Sequence, residues 1–129
     1  MMGGRGTFAA GRNVDFTYKT VGTIEGVKVL EGMYGKHALP EESLSSKAYI
    51  KLRRNGTFHE MRIYGDDHLP VMDIAYHTEP NIEPSKAPVL HVHRYHGDVA
   101  NREPAEPITK EIYDKYSKFF VGVPKYDRW

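Results

Sequence analysis

Two histidines stand two residues apart in Val89-Leu90-His91-Val92-His93-Arg94-Tyr95, and a third, His77, closes the run Met72-Asp73-Ile74-Ala75-Tyr76-His77. If both runs are strands, alternation puts His91, His93 and Tyr95 on one face and Leu90 and Val92 on the other, with His77 beside Asp73 on the polar side of its own strand. An imidazole titrates near neutral pH. One histidine can therefore take a proton from a nucleophile while another gives one to a leaving group. Lys51, Arg53 and Arg62 add positive charge that can stabilise negative charge in a transition state. Tyr49 offers a stacking surface for a base. This set suits cleavage of an RNA phosphodiester, with His77, His91 and His93 as acid and base, Lys51, Arg53, Arg62 and Tyr49 as substrate binders, and no metal or other cofactor. His37, in Gly35-Lys36-His37-Ala38-Leu39-Pro40, is a further catalytic candidate, because a Lys-His pair on a loop could reach a phosphate on the sheet.

Two other readings use the same residues. A His-x-His pair on a strand can chelate a transition metal, with His77, Asp73 or His96 completing the set. A non-enzymatic domain could present the polar face to a protein partner. An exposed antiparallel face carries Lys, Arg and Glu in any case, and Lys51 opposite Glu60 is then an ordinary surface pair contributing about 0–1 kcal/mol.

These side chains share a face only if the strands pair correctly. Asn55-Gly56 lies between two β-prone runs, and Asn-Gly is the preferred pair for a two-residue type I′ hairpin. That turn sets Lys51 opposite Glu60, Ile50 opposite Met61, Tyr49 opposite Arg62 and Ala48 opposite Ile63. It also sets Leu52 opposite His59 and Arg53 opposite Phe58. Ala48, Ile50, Leu52, Met61 and Ile63 form an apolar face, with His59 at its edge. Tyr49, Lys51, Arg53, Phe58, Glu60 and Arg62 form the other face.

Further strands are expected at Asp15–Val21, at Val27–Leu30, at Pro70–His77 and at Val89–Tyr95. Loops are expected over residues 78–88 and 97–107. Ile108, Ile112, Tyr113, Tyr116, Phe119 and Phe120 recur at helical spacing, so a helix over Ile108–Phe120 is expected to cover the apolar face and stop at Gly122. The fold class is α+β: a small antiparallel sheet of about four to six strands with one face under a C-terminal helix. Residues 1–13 are expected to be a flexible arm, 14–122 a single domain and 123–129 a tail.

The totals narrow the classes. The chain has 129 residues, near the common domain size of about 100–150. It has no cysteine, which excludes disulfides and thiolate metal sites and favours a reducing compartment such as the cytoplasm. No apolar run approaches the roughly 20 residues of a membrane span, so no membrane partner is expected. The net charge of +1 is too balanced to announce a nucleic-acid binder by itself.

Met2-Gly3-Gly4-Arg5-Gly6 resembles the start of small proteins encoded in prophages of Gram-positive bacteria. The segments Gly35–Pro40, Ala48–Ile50, Arg62–Tyr64, Asp73–His77 and Val89–His93 resemble the phage-associated branch of the barnase–EndoU–colicin–RelE nuclease group. That resemblance implies an RNase site on the open face of a small antiparallel sheet, with RNA, or a phage or host protein, as partner. It implies His37, His77, His91 and His93 as catalytic residues and Lys51, Arg53 and Arg62 as phosphate binders. Such nucleases place a helix before the sheet, whereas residues 14–46 here read as strand and loop.

Overall fold

The Asn55-Gly56 segment turns the chain, but with a different turn from the one its sequence suggests. A computed structural model describes residues 18–32, 38–43 and 45–129. Within it Gly56 takes a φ of 87° while Asn55 is not among the residues of positive φ, so the turn is not type I′. Arg53 N–H donates to Thr57 O at 2.8 Å and Gly56 N–H donates to Arg53 O at 2.9 Å. The loop is therefore three residues, Arg54-Asn55-Gly56, the form in which a glycine in the left-handed region follows a tight turn. Asn55 Oδ1 accepts from Thr57 N–H at 2.9 Å and holds the tip.

The longer loop shifts the register by one residue, and a bulge at His59 shifts it back. Leu52 pairs with Phe58, whereas Lys51–Glu60, Ile50–Met61, Tyr49–Arg62 and Ala48–Ile63 pair as expected. The expectation fails only at Phe58 and His59, which exchange faces. Phe58 is fully buried, its ring centroid 4.8 Å from that of Phe120. His59 turns to the polar side, 5.7 Å from the His77 ring. Burying a phenylalanine is worth about 1.5–3 kcal/mol, so the core decides the register at the hairpin tip. The chain does use a two-residue loop of type I′ geometry elsewhere: Glu25 and Gly26, at φ of 48° and 85°, join strands paired through Ile24 and Val27.

The strands are β1 (Tyr18–Ile24), β2 (Val27–Gly32), β3 (Ala48–Leu52), β4 (Phe58–Tyr64), β5 (Pro70–Thr78), β6 (Pro88–His96), β7 (Asp98–Arg102) and β8 (Glu106–Pro107). They form one mixed eight-stranded sheet in which β1 to β7 are neighbours in chain order and β8 also pairs with β6. The sheet is thus larger than the four to six strands expected, and it is not wholly antiparallel, because β2 and β3 run parallel. The expected loop over residues 97–107 accounts for two of the extra strands. β7 pairs along the Tyr95–His96 end of β6 and β8 along its His91–Val92 stretch.

Alternation on the central strands holds. Ile50, Met61, Ile74, Leu90 and Val92 lie in the main core, which Ile108, Ile112, Phe119, Phe120 and Tyr126 complete. The helix, α1 (Lys110–Tyr116), is shorter than the periodicity suggests and passes into a 3-10 turn at Ser117–Phe119. It starts late because Thr109 is its cap: the backbone there is extended, and Thr109 Oγ1 accepts from Ile112 N–H at 3.2 Å. The 123–129 segment, expected as a tail, packs back on the body: Tyr126 is buried, and Arg128 bonds Glu83 at 2.5 Å. No described helix is long and apolar enough to cross a membrane.

The polar face is not uniformly open. Leu30, Leu39, Tyr49 and Tyr64 form a second buried cluster on it, with Tyr18 packed alongside. The chain between β2 and β3 brings Leu39 and Pro40 over this half, where the hydroxyl of Tyr64 donates to Pro40 O at 2.5 Å. The other half remains open.

Candidate functional site: a histidine-lined hollow on the sheet

The covered half is held by a buried ion pair. Arg62 donates through Nε to Asp73 Oδ1 at 2.8 Å and through Nη2 to Asp73 Oδ2 at 3.1 Å. Its Nη1 donates to Leu39 O at 2.8 Å, and Tyr95 donates its hydroxyl to Asp73 Oδ2 at 2.5 Å. Arg62 is 6% exposed and Asp73 0%. Burial alone would weaken the guanidinium's hold on its proton, but the hydrogen bond and charge of Asp73 more than reverse that. Arg62 was expected to hold phosphate; here its charge is neutralised and it ties the β2–β3 connection to the sheet. Tyr49, expected as a stacking surface, is 2% exposed beneath the same cover.

The open half carries the histidines. Four imidazoles run across it, with ring centroids 5.7 Å apart for His59–His77, 6.5 Å for His77–His91 and 5.4 Å for His91–His93. They line a hollow of about 320 Å³ together with Glu60, Ala75, Thr78, Glu79 and Arg102. The register explains the hollow. Glu60 on β4 pairs with Ala75 on β5, and Ala75 pairs with His91 on β6. Ala75 contributes only a methyl group, so a depression is left between the larger groups on either side.

The structure therefore brings His77, His91 and His93 together, as their strand parity requires. Lys51 and Arg53 do not line the hollow. Arg53 donates to Tyr76 O at 2.7 Å, though the positive charges of both residues reach His59. His37 lies outside the described residues. The cation that does line the hollow is Arg102, delivered by β7 and placed 3.7 Å from Asp73 Oδ2. It was hidden in the sequence because it falls in a stretch read as loop. Glu79 was hidden likewise, although parity carried two residues beyond His77 puts it on the same face. His59 was missed because the bulge changes its side.

Hydrogen bonds orient the rings. Nδ1 of His77, His91 and His93 bonds the carbonyl of Thr78 (2.9 Å), Val89 (2.8 Å) and Glu103 (2.9 Å) respectively. A carbonyl can only accept, so each Nδ1 carries the proton and each neutral ring keeps its lone pair on Nε2.

The titratable groups are set apart by their surroundings. Burial pushes the Glu60 pKa up to about 7, Asp73 adds to that rise, and Arg62, Arg102 and Lys51 oppose it. Burial pulls the His59 pKa down to about 4, helped by Arg53, Lys51 and His77. Burial also lowers that of His91, against the hydrogen bond to Val89. At neutral pH His59 and His91 are thus neutral, and Glu60 is poised to exchange a proton.

These shifts predict opposing pH effects on stability. Glu60 keeps its proton in the folded state to about pH 7 but in the unfolded state only to about 4.5. Its contribution is full below about 4.5 and is lost as pH rises through 7. His59 gives up its proton near 4 when folded and 6.5 when unfolded, so its contribution is present above 6.5 and is lost as pH falls toward 4. Glu60→Gln removes the first slope and should leave a protein whose stability rises with pH across this window more than the wild type's. Urea unfolding at several pH values checks it, and parallel curves for the two proteins would rule out the raised Glu60 pKa.

No family model matches the chain, and no curated protein or solved structure matches it.

Proposed function

We propose that the hollow is the active site of an endoribonuclease-type phosphodiesterase, with Glu60 as general base, His77 as general acid and Arg102 as the group that holds the phosphate. The observation that carries this reading is the convergence of Glu60, four histidines and Arg102 around one depression. In the reaction the RNA 2′-oxygen attacks phosphorus as Glu60 takes its proton. The bond from phosphorus to the 5′-oxygen breaks, and that oxygen leaves with a proton from Nε2 of protonated His77. The products are a 2′,3′-cyclic phosphate and a free 5′-hydroxyl. The Arg102 guanidinium offsets the negative charge that gathers on the phosphorane oxygens.

The electrostatics support these assignments. A base with a pKa near the working pH combines availability with proton affinity, as the Glu60 carboxyl does. Of the four histidines, His59 and His91 are held neutral and cannot donate a proton near pH 7. His77 is exposed, with its Nδ1 fixed on Thr78. The reaction class is also the one implied by the resemblance to phage-associated nucleases.

The test is cleavage of a mixed-sequence RNA beside the same oligonucleotide made as DNA. Cleavage of RNA alone, leaving cyclic phosphate ends, is expected, because the nucleophile is the 2′-hydroxyl. Equal cleavage of both polymers, or of neither, rejects the proposal.

A further inference from the structure

One end of the hollow has a second capacity. Glu79, His91 and His93 each offer one ligand atom, and the three atoms lie within 4.8 Å of one another. They come from two places that the fold fixes independently. His91 and His93 sit at i and i+2 on β6, so both rings project from the same face. Glu79 stands just past the end of β5, in a turn where Ile82 N–H and Glu83 N–H donate to Glu79 O at 2.9 and 2.8 Å.

The orientation of the rings is an observation separate from the clustering. Histidines that bind a metal through Nε2 donate Nδ1–H to a carbonyl or carboxylate, which fixes the tautomer and the ring plane. His91 and His93 both do so, to carbonyls on different segments: Val89 on the same strand and Glu103 on the chain that leads into β8. Their Nε2 lone pairs are therefore the ones available. His91 is buried and His93 and Glu79 are half-buried, so little side-chain freedom remains to be lost on binding.

We infer that Glu79, His91 and His93 form a binding site for one divalent transition-metal ion of the zinc class. Two imidazoles and a carboxylate match the preference of a borderline ion, where an all-oxygen set would suit magnesium or calcium. Three protein ligands leave a fourth position of a tetrahedral ion for water or for an oxygen of a bound molecule. That position would open toward the hollow that Glu60 and Arg102 also line. This site goes beyond the acid–base reading, since Glu60, His77 and Arg102 are not among its ligands.

The experiment is isothermal titration of zinc chloride into the full-length protein after dialysis against a chelator, with cobalt(II) absorption as a second readout. One ion per chain is expected to bind, and cobalt is expected to show the visible bands of a four-coordinate ion with nitrogen ligands. His93→Ala and Glu79→Gln should each weaken zinc binding by at least about tenfold, since changes to mere supporting groups already cost about 10–100-fold. His68→Asn, in the exposed β4–β5 turn, should bind as the wild type does. Circular dichroism confirms that each variant is folded; should His93→Ala fail to fold, Glu79→Gln decides, because it removes charge from a half-buried side chain and leaves both rings in place. Absence of zinc binding by the wild type overturns the inference, as does unchanged binding in folded Glu79→Gln and His93→Ala. RNA cleavage is scored separately. A wild type that binds zinc but does not cut RNA rejects only the nuclease, whereas one that cuts RNA but does not bind zinc rejects only this site.

Discussion

Asp73→Ala is expected to destabilise the protein by about 3–5 kcal/mol, because it leaves the Arg62 guanidinium buried with no opposing charge. The magnitude follows from position. Both oxygens of Asp73 are engaged, one by Arg62 Nε and the other by Arg62 Nη2 and the Tyr95 hydroxyl, and the carboxylate has no access to water. Lys47→Ala removes a comparable contact, the 2.6 Å pair with Asp66, but on an exposed surface where such pairs contribute about 0–1 kcal/mol. Replacing both partners, in Arg62→Leu/Asp73→Leu, should cost less than the two single changes added together, because no lone charge is then buried. Urea unfolding of the five variants, the two single leucine changes included, decides the matter. A similar small loss for Asp73→Ala and Lys47→Ala would mean that the pair does not anchor the covered half of the face.

The pair also bears on the chemistry next to it. After burial, the charge of Asp73 is the largest influence raising the Glu60 pKa. One carboxylate thus serves both halves of the polar face, holding the cover through Arg62 and raising the pKa of Glu60 in the hollow.

The second large effect is on catalysis. Glu60→Gln and His77→Ala should each reduce RNA cleavage by about 10²–10⁴-fold, the usual contribution of a positioned acid or base. Neither side chain is a main-core residue, so the loss should come without unfolding. Their combined loss should be less than the product of the two, because an acid and a base in one displacement act as a unit. Arg102→Ala should also slow the reaction, through charge that gathers in the transition state. Single-turnover rates with folded variants test this. Full activity in Glu60→Gln would remove it from the base role.

Much of this arrangement was legible in the sequence. Met72, Ile74 and Tyr76 on β5 and Leu90 and Val92 on β6 keep one parity, so the sides taken by Asp73, His77, His91 and His93 followed from parity alone. The β3–β4 pairing was legible too, though for a reason the turn signal did not supply. The three-residue loop and the bulge at His59 offset each other, and the net register is the one a two-residue loop would give. Phe58 and His59 lie between those two irregularities, and there local turn preference yields to burial of an aromatic ring. Arg62 and Tyr49 were legible in direction but not in environment. Nothing in the sequence announces that Leu39 and Pro40 fold back over them, since that contact joins segments more than twenty positions apart. Arg102, the last residue of the short β7, and Glu79, just past the end of β5, escaped notice because they lie in stretches rich in proline and polar residues, where periodicity gives no signal. The result is a polar face that looked uniform in sequence and is divided in the fold, into a covered half built on a buried ion pair and an open half lined by histidines.

The most direct test of that division is the pH dependence of RNA cleavage by the purified wild-type protein between about pH 5 and 8, a window that brackets the raised Glu60 pKa. Cleavage should rise with pH as Glu60 loses its proton, with a midpoint near 7, and that rising limb should be absent in Glu60→Gln. Absence of cleavage at every pH in that range, or a rising limb unchanged by Glu60→Gln, would contradict that expectation.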